Sequence, residues 1–277
     1  MPEDILRGRT IAIFETRELE VFSQLLERRG ARVQRCPLIG IRDAPDPAPV
    51  LRWLRDFAAG GCDDLILLTG EGLRRLRACI DRHEPSLREP FLGALTRVRR
   101  ITRGPKPARA LREVGLLPDI EARIPTTAGV IESLMDHDLH GRRVGVQRYG
   151  TEPNAPLMTF LEQAGASALP VAPYVYTEEA ADSAVRDLLR AIDAGGIDAL
   201  AFTSKAQVER LFRIDDPVRI QATLSRTQVT AVGPVVAEAL QARGVAVDAM
   251  PQASWFMKPL ATELCTLLSG TNAEGKR

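Results

Sequence analysis

Residues 197–212 read IDALAFTSKAQVERLF, an apolar run that ends in Thr203, Ser204 and Lys205 and passes directly into an amphipathic stretch. Leu200, Ala201 and Phe202 suit a buried parallel strand, while Val208, Leu211 and Phe212 fall at helical spacing, so polarity gathers at the joint. Strand, polar turn and helix make the repeating unit of an open α/β sheet, and such sheets take ligands at the carboxyl ends of their strands. A twin lies earlier in the chain: residues 63–76 read DDLILLTGEGLRRL, with Thr69 and Gly70 placed where Thr203 and Ser204 stand. The pattern predicts a chain built twice.

Outward from these two stretches the order of events repeats. The first strand, 10–14, leads through Glu15, Thr16 and Arg17 into a helix over 20–29 stopped by Gly30. A second strand is predicted to run from Arg32 through Pro37 to Ile41. From Gly141 the same begins again, with a strand over 143–147, a turn at Arg148, Tyr149 and Gly150, and a helix over 156–163. Double glycines (Gly60 and Gly61; Gly195 and Gly196), a Gly-Pro pair (Gly104 and Pro105; Gly233 and Pro234), a helix-stop glycine (Gly115; Gly244) and a later proline (Pro125; Pro251) recur in one order. Repetition at so long a period predicts two similar α/β units facing each other over a cleft, rather than a solenoid. Residues 37–41 (PLIGI) and 173–177 (PYVYT) read as matched connectors able to pair as an antiparallel hinge, and the tail from Ser269 reads as disordered.

Composition narrows the function. The 277 residues are 45% hydrophobic with a formal net charge of +1, which suits two ordinary cores and supplies no global field for nucleic acid or an anionic membrane. Arg97, Arg99 and Arg100 lack interleaved aromatics and read as a solvated sheet edge. Cys36, Cys62, Cys79 and Cys265 lack zinc spacing, and His83, His137 and His140 are scattered, so no metal site is expected. The opening MPEDILRGRT has no apolar signal region, and no apolar run approaches the roughly 20 residues that span a bilayer. A reduced cytoplasmic protein is expected.

Four stretches carry a resemblance: TIAIFETRELEVFSQLLERRGARVQRCPLIGI, DALAFTSKAQVERLF, VTAVGPVVAEALQARGV and VAPYVYT. Together they resemble uroporphyrinogen-III synthase, in the right order over nearly the whole chain. The resemblance implies an α/β fold of two flavodoxin-like parallel-sheet domains from an internal duplication, joined by a two-stranded antiparallel linker. It also implies a swap: domain one comprises residues 1–38 plus 177–277, domain two residues 43–172, and residues 37–43 and 172–177 form the linker strands.

The implied reaction is cyclisation of the linear tetrapyrrole hydroxymethylbilane to uroporphyrinogen III. It proceeds with loss of water and inversion of the last pyrrole ring and needs no cofactor. That chemistry is mainly a matter of positioning, which suits a chain without a catalytic triad, carboxylate dyad or metal cluster. No nucleic-acid or membrane partner is implied; a transient contact with the preceding pathway enzyme is compatible with it. Tyr176, in a connector where the family carries a tyrosine, is the expected catalytic residue, its phenol meeting the departing hydroxyl. Tyr174 lies one pleat away.

The substrate's carboxylates would be met at strand-to-helix turns by Thr16 and Arg17, Thr69 and Gly70, and Arg103, Gly104 and Lys106. Arg148, the run Thr203, Ser204 and Lys205, and the run Gly233, Pro234, Val235 and Val236 complete the expected set. This chain departs from the family at Val235 and Val236, where threonines are usual, and at Glu71, which would carry negative charge towards an anion. Those departures, and the LTGEG and TRGPKP forms, define the alternative: a synthase-like module that binds or senses tetrapyrroles without turnover.

Overall fold

The computed structural model describes residues 4–150 and 152–274. The chain divides into two compact units, Met1–Gly40 with Thr177–Arg277 and Ile41–Tyr176. The strands are β1 (Thr10–Ile13), β2 (Arg32–Arg35), β3 (Ile39–Asp43), β4 (Asp64–Leu67), β5 (Arg99–Thr102), β6 (Ile120–Glu121), β7 (Arg143–Gln147), β8 (Ser167–Val171), β9 (Tyr174–Glu178), β10 (Ala199–Phe202) and β11 (Gln228–Ala231). Two of the three sheets are entirely parallel, ordered β11-β10-β1-β2 in the first unit and β6-β5-β4-β7-β8 in the second. A bridge from Thr230 to Ala249 extends the first sheet by one position.

The two sheets share one spatial arrangement, entered at different points. β7 and β8 occupy the places of β1 and β2, β4 that of β10, and β5 that of β11. In the first unit the strand pair β1 and β2 opens the chain; in the second its counterpart comes last. Each sheet therefore reverses its direction of winding beside a central pair, β1 with β10 and β7 with β4, where crevices form at the carboxyl ends.

Burial explains the strand composition. All four residues of β4 and all four of β10 are buried, as expected of parallel strands covered by helices on both faces. In the second unit, side-chain alternation sends Leu65 and Leu67 into one core with Leu54, Phe57, Leu76 and Phe91, and Ile66 and Leu68 into another with Ile101, Val130, Val144 and Leu157. Phe57 stacks on Trp53 at 5.1 Å and meets Phe91 at 5.4 Å, and in the first unit Phe14 meets Phe202 at 4.5 Å. Each such buried ring contributes about 1.5–3 kcal/mol of transfer free energy.

β3 and β9 form the third, two-stranded sheet. It continues as an antiparallel ladder at both ends, with Ala44 N–H donating to the Pro173 carbonyl (3.1 Å) and Ala180 N–H to that of Pro37 (2.8 Å). The single strand expected over 32–41 is two: β2 stops at Arg35 and β3 starts at Ile39, because Pro37 has no N–H to continue a ladder. The disorder expected from Ser269 is also corrected: the last helix runs Met257–Glu274, anchored by buried Leu260, Leu264, Cys265 and Leu268. Residues 275–277 of that stretch lie outside the described residues. Among the described residues no helix is long and apolar enough to cross a membrane.

Candidate functional site

The expected site residues stand at the carboxyl ends of the two parallel sheets, in two sets. In the first unit the set gathers around β1 and β10. Glu15, 9% exposed, accepts the backbone N–H groups of Thr16 and Arg17 (both 3.1 Å) with one oxygen and the Thr203 hydroxyl (2.6 Å) with the other. Gln207, 2% exposed, closes the other side. Its carbonyl oxygen accepts from Thr203 N (2.8 Å) and Ser204 N (3.2 Å), and its NH2 donates to the Phe14 carbonyl (3.1 Å) and the Thr203 hydroxyl (2.8 Å). Ser204 caps the helix Lys205–Leu211 and Gln207 answers from its third position, a capping box written in the sequence as S-K-A-Q.

These bonds assign roles that sequence alone leaves open. The Thr203 hydroxyl and the Thr203 and Ser204 N–H groups are all satisfied internally, so this turn is a preorganised frame rather than a row of open donors. Lys205 pairs with Glu209 at 3.3 Å. The Thr16 hydroxyl donates to the Ile39 carbonyl of β3, and Arg17 is exposed. Gly233 starts the helix Pro234–Gln241 from the end of β11; Val236 is buried, and Pro234 and Val235 are half-buried.

In the second unit Thr69 caps the helix Gly70–His83 through Gly72 N–H (3.0 Å). Thr69 is therefore the counterpart of Ser204, not of Thr203: Leu68 stands at the Thr203 position, Gly70 at Lys205 and Gly72 at Gln207. The expected pairing of the twins is one residue out of register. Here the amide comes from the neighbouring strand. Gln147, fully buried at the end of β7, accepts from Thr69 N (3.1 Å) and donates to the Arg148 carbonyl. A Cβ on Gly72 would lie 1.8 Å from the Gln147 carboxamide carbon, so only glycine leaves it room. Gly70 is pressed likewise on the Lys106 carbonyl, where a Cβ would meet the oxygen at 2.6 Å.

Glu71 does not present a bare charge. It pairs with Arg75 (2.7 Å), which also reaches Asp43 at the end of β3 (2.8 Å). Arg82 donates to the same Asp43, and these guanidinium bonds hold the Asp43 carboxyl below its ordinary range.

Three further groups complete the carboxyl edge of the second unit. Arg103, after β5, lies over the Tyr149 ring at 4.9 Å, and Gly104 starts the helix that carries exposed Lys106. Arg148 is half-buried, and its Nε has no hydrogen-bond partner among the described residues. Tyr176 is half-buried against the turn after β7; a Cβ on Gly150 would meet its ring at 2.8 Å. Tyr174, 1% exposed, contacts Tyr176 edge-on at 5.6 Å, and its hydroxyl lies 3.2 Å from the Thr69 hydroxyl. Of the two tyrosines in β9, Tyr174 belongs to the frame and Tyr176 presents more of its ring.

Sequence reasoning passed over Glu15, Gln147 and Gln207 as parts of the site. Gln207 carried a usable signal in its capping-box spacing, whereas Gln147 carried none, because its partner Thr69 is 78 residues away. Among the described residues no group of three or more His, Cys, Asp or Glu is placed to hold a metal ion. Each unit supplies a fixed hydrogen-bond frame at its strand ends, and the second adds guanidinium charge and the Tyr176 phenol, groups suited to meeting an anionic ligand.

Comparison with known proteins adds independent findings. Residues 20–258 match the family model described as uroporphyrinogen-III synthase HemD. The chain is 34% identical to the uncharacterised protein YjjA of Bacillus subtilis (strain 168), covering 87% of this chain and 89% of that one. It is similar in structure to a mutant uroporphyrinogen III synthase from the extremely thermophilic bacterium Thermus thermophilus, with a TM-score of 0.74 and 28% identity over 96% of this chain and 98% of that one. Uroporphyrinogen-III synthetase from Helicobacter pylori 26695 shares the fold at a TM-score of 0.53 and 16% identity, covering 94% and 99%.

Proposed function

The chain belongs to the uroporphyrinogen-III synthase family, and from that premise we propose that it cyclises hydroxymethylbilane to uroporphyrinogen III as a hydro-lyase. The observation that carries this reading is the placement of the Tyr176 phenol beside the turn that bears Arg148, a half-buried cation whose Nε has no hydrogen-bond partner among the described residues. A phenol and a guanidinium carried by neighbouring segments are the kinds of group that departure of hydroxide from a polycarboxylate calls for.

In the proposed reaction the pyrrole nitrogen lone pair expels the hydroxyl of the hydroxymethyl group, and Tyr176 hydrogen-bonds the leaving oxygen. The C–O bond breaks to leave an azafulvene. The terminal ring then attacks that carbon through its substituted position to give a spiro centre, the older bond from that position to the neighbouring methylene breaks, and the methylene rejoins the ring at its free carbon. The ring is thereby inverted, and the proton lost from the free carbon combines with the departed hydroxide as water. The harder task is geometric, since the free position of the ring is the easier nucleophile. Frames fixed by Gln207 and Gln147 at the strand ends serve that task by holding the turns in one conformation. Thr16, Arg17, Thr69, Gly70, Arg103, Gly104, Lys106, Arg148, Thr203, Ser204, Lys205 and the turn from Gly233 to Val236 are proposed to hold the substrate. Several of them, Thr203 foremost, would act through backbone shape rather than hydroxyl contact. The pairing of Glu71 with Arg75 removes the charge conflict that favoured a binding-only module.

The test supplies purified protein with hydroxymethylbilane generated in situ and separates the porphyrin isomers after oxidation. Type III is the expected product; only type I, the spontaneous isomer, would overturn the proposal. Tyr176→Phe should lower kcat about 10²-fold, the usual contribution of a positioned proton donor, while leaving product affinity within a factor of two to three.

A further inference from the structure

The turn after β11 has no side-chain donor, unlike the turns after β4, β5 and β10: it continues as Gly233, Pro234, Val235 and Val236, and Pro234 lacks even a backbone N–H. What lies on it is an indole. A Cβ built on Gly233 would stand 2.6 Å from Cδ1, 2.9 Å from Cγ and 3.1 Å from Cβ of Trp255, so the pyrrole edge of the ring rests on the glycine backbone and any other residue would push it away. Nε1 is bonded to Cδ1, which places the indole N–H on the edge that meets this turn. Trp255 is half-buried, and its N–H has no hydrogen-bond partner among the described residues. A buried tryptophan N–H usually finds an acceptor within the protein, whereas a half-buried one stays open to water or to a ligand. Trp53 shows the first case: it stacks on Phe57 and donates to the Leu169 carbonyl at 2.9 Å.

The second unit shows what this place looks like without a donor. At Gly104, which starts the corresponding helix, the residue that would meet a Cβ is Pro125, at 2.8 Å. A saturated ring there packs and does nothing else, and the adjoining polar side chains are Arg103 and Lys106. In the first unit an aromatic ring packs the same way and adds a side-chain N–H where the turn itself has no side-chain donor.

We propose that Trp255 is a substrate-binding residue whose indole N–H donates to one carboxylate of the tetrapyrrole at the end of β11. This rests on the tetrapyrrole reading above and adds to it a residue in place of the hydroxyl donors that Val235 and Val236 do not supply. A neutral donor suits a position beside an apolar turn, because it fixes a carboxylate without requiring a buried countercharge.

Two measurements test it. In the isomer assay, Trp255→Phe, which keeps a ring on Gly233 but removes the N–H, should raise KM about tenfold with kcat within a factor of two, the size of one hydrogen bond to a charged group. In the Trp53→Phe variant, where Trp255 is the sole tryptophan, titration with uroporphyrinogen III under reducing conditions should shift or quench its emission. An unchanged KM in Trp255→Phe, or saturable binding without any change in Trp255 emission, would overturn the assignment. Failure of the wild-type protein to make the type III isomer would instead count against the enzymatic reading. The emission titration would still decide the role of Trp255 in that case.

Discussion

The turns after β10 and β4 hold the same shape with an amide drawn from different places. After β10 the amide is Gln207, from the third position of the following helix; after β4 it is Gln147, from the adjacent strand, and the third helix position is Gly72. In both, a glutamine oxygen accepts the N–H of the capping residue, Ser204 or Thr69, and the NH2 group reaches a carbonyl at the end of the neighbouring strand. The pair shows that what a strand-end turn requires is a buried amide at one point in space, and that a duplicated fold can supply it from either element. A second contrast lies at the opposite end of the same strands. β4 begins with Asp64, fully buried between Arg99 and Arg142 (both 2.5 Å), where β10 begins with Ala199.

The largest effect is expected at that second contrast. Asp64→Ala leaves two guanidiniums without their buried carboxylate and should destabilise the protein by about 3 kcal/mol, read from urea unfolding. Ala199→Gly, at the matching place, should cost about 1 kcal/mol. Equal losses would remove the distinction.

Gly72→Ala comes next. Its methyl collides with the Gln147 carboxamide and should cost about 2 kcal/mol, within the usual range for overpacking. Gln147→Ala opens the space, so in the double variant the Gly72→Ala penalty should largely vanish, a coupling of about 1–2 kcal/mol. Additive costs in the thermodynamic cycle would show that the amide does not depend on the glycine.

Gln207→Ala should cost about 2 kcal/mol, since it leaves the buried Thr203 N–H and Phe14 carbonyl without their partner and dissolves the capping box. Unlike the Gly72 change, it should be insensitive to Gln147, and any coupling between the two glutamines would contradict their independence.

The smallest effect concerns the paired loops at the strand beginnings. Asp63 is bonded by the Arg143 side chain and backbone, as Asp198 is by Arg9 and Thr10 N–H, and the Arg143 bond lowers the Asp63 carboxyl to about 2. A carboxyl lowered on folding contributes stability above its unfolded value near 4 and loses it as pH falls towards 2. Asp63 is partly exposed, so solvent screening leaves a few tenths of a kcal/mol. The stability difference between wild type and Asp63→Asn should accordingly shrink between pH 5 and pH 2, and a difference independent of pH would refute the pairing's contribution.

Much of the architecture is legible along the chain. Leu65 to Leu68 and Leu200 to Phe202 announce buried strands by their unbroken apolar character, and Gly60, Gly115, Gly195 and Gly244 mark element ends because a left-handed residue stops a helix at little cost. Pro37 shows where such reading falls short: its backbone chemistry splits one expected strand into β2 and β3. The tail from Ser269 shows the opposite error, since polar composition concealed a helix secured by Leu260, Leu264 and Leu268. At the candidate site the turns were legible as turns, but the one-residue offset between Thr69 and Thr203 was not, because both Thr-Gly and Thr-Ser make acceptable caps.

The sequence by itself determined the alternation of strands and helices, the doubled arrangement and the family, because period, caps and turns are local signals carried within a few residues. Only the tertiary structure decided which groups are held at the strand ends. The Gln207 amide acts on the residue three positions before it, the Gln147 amide across 78 residues, and Trp255 lies over Gly233 from a later loop. A hydrogen bond or ring contact depends on distance in space, and no periodicity along the chain encodes which distant side chain will fill the point that a turn leaves open.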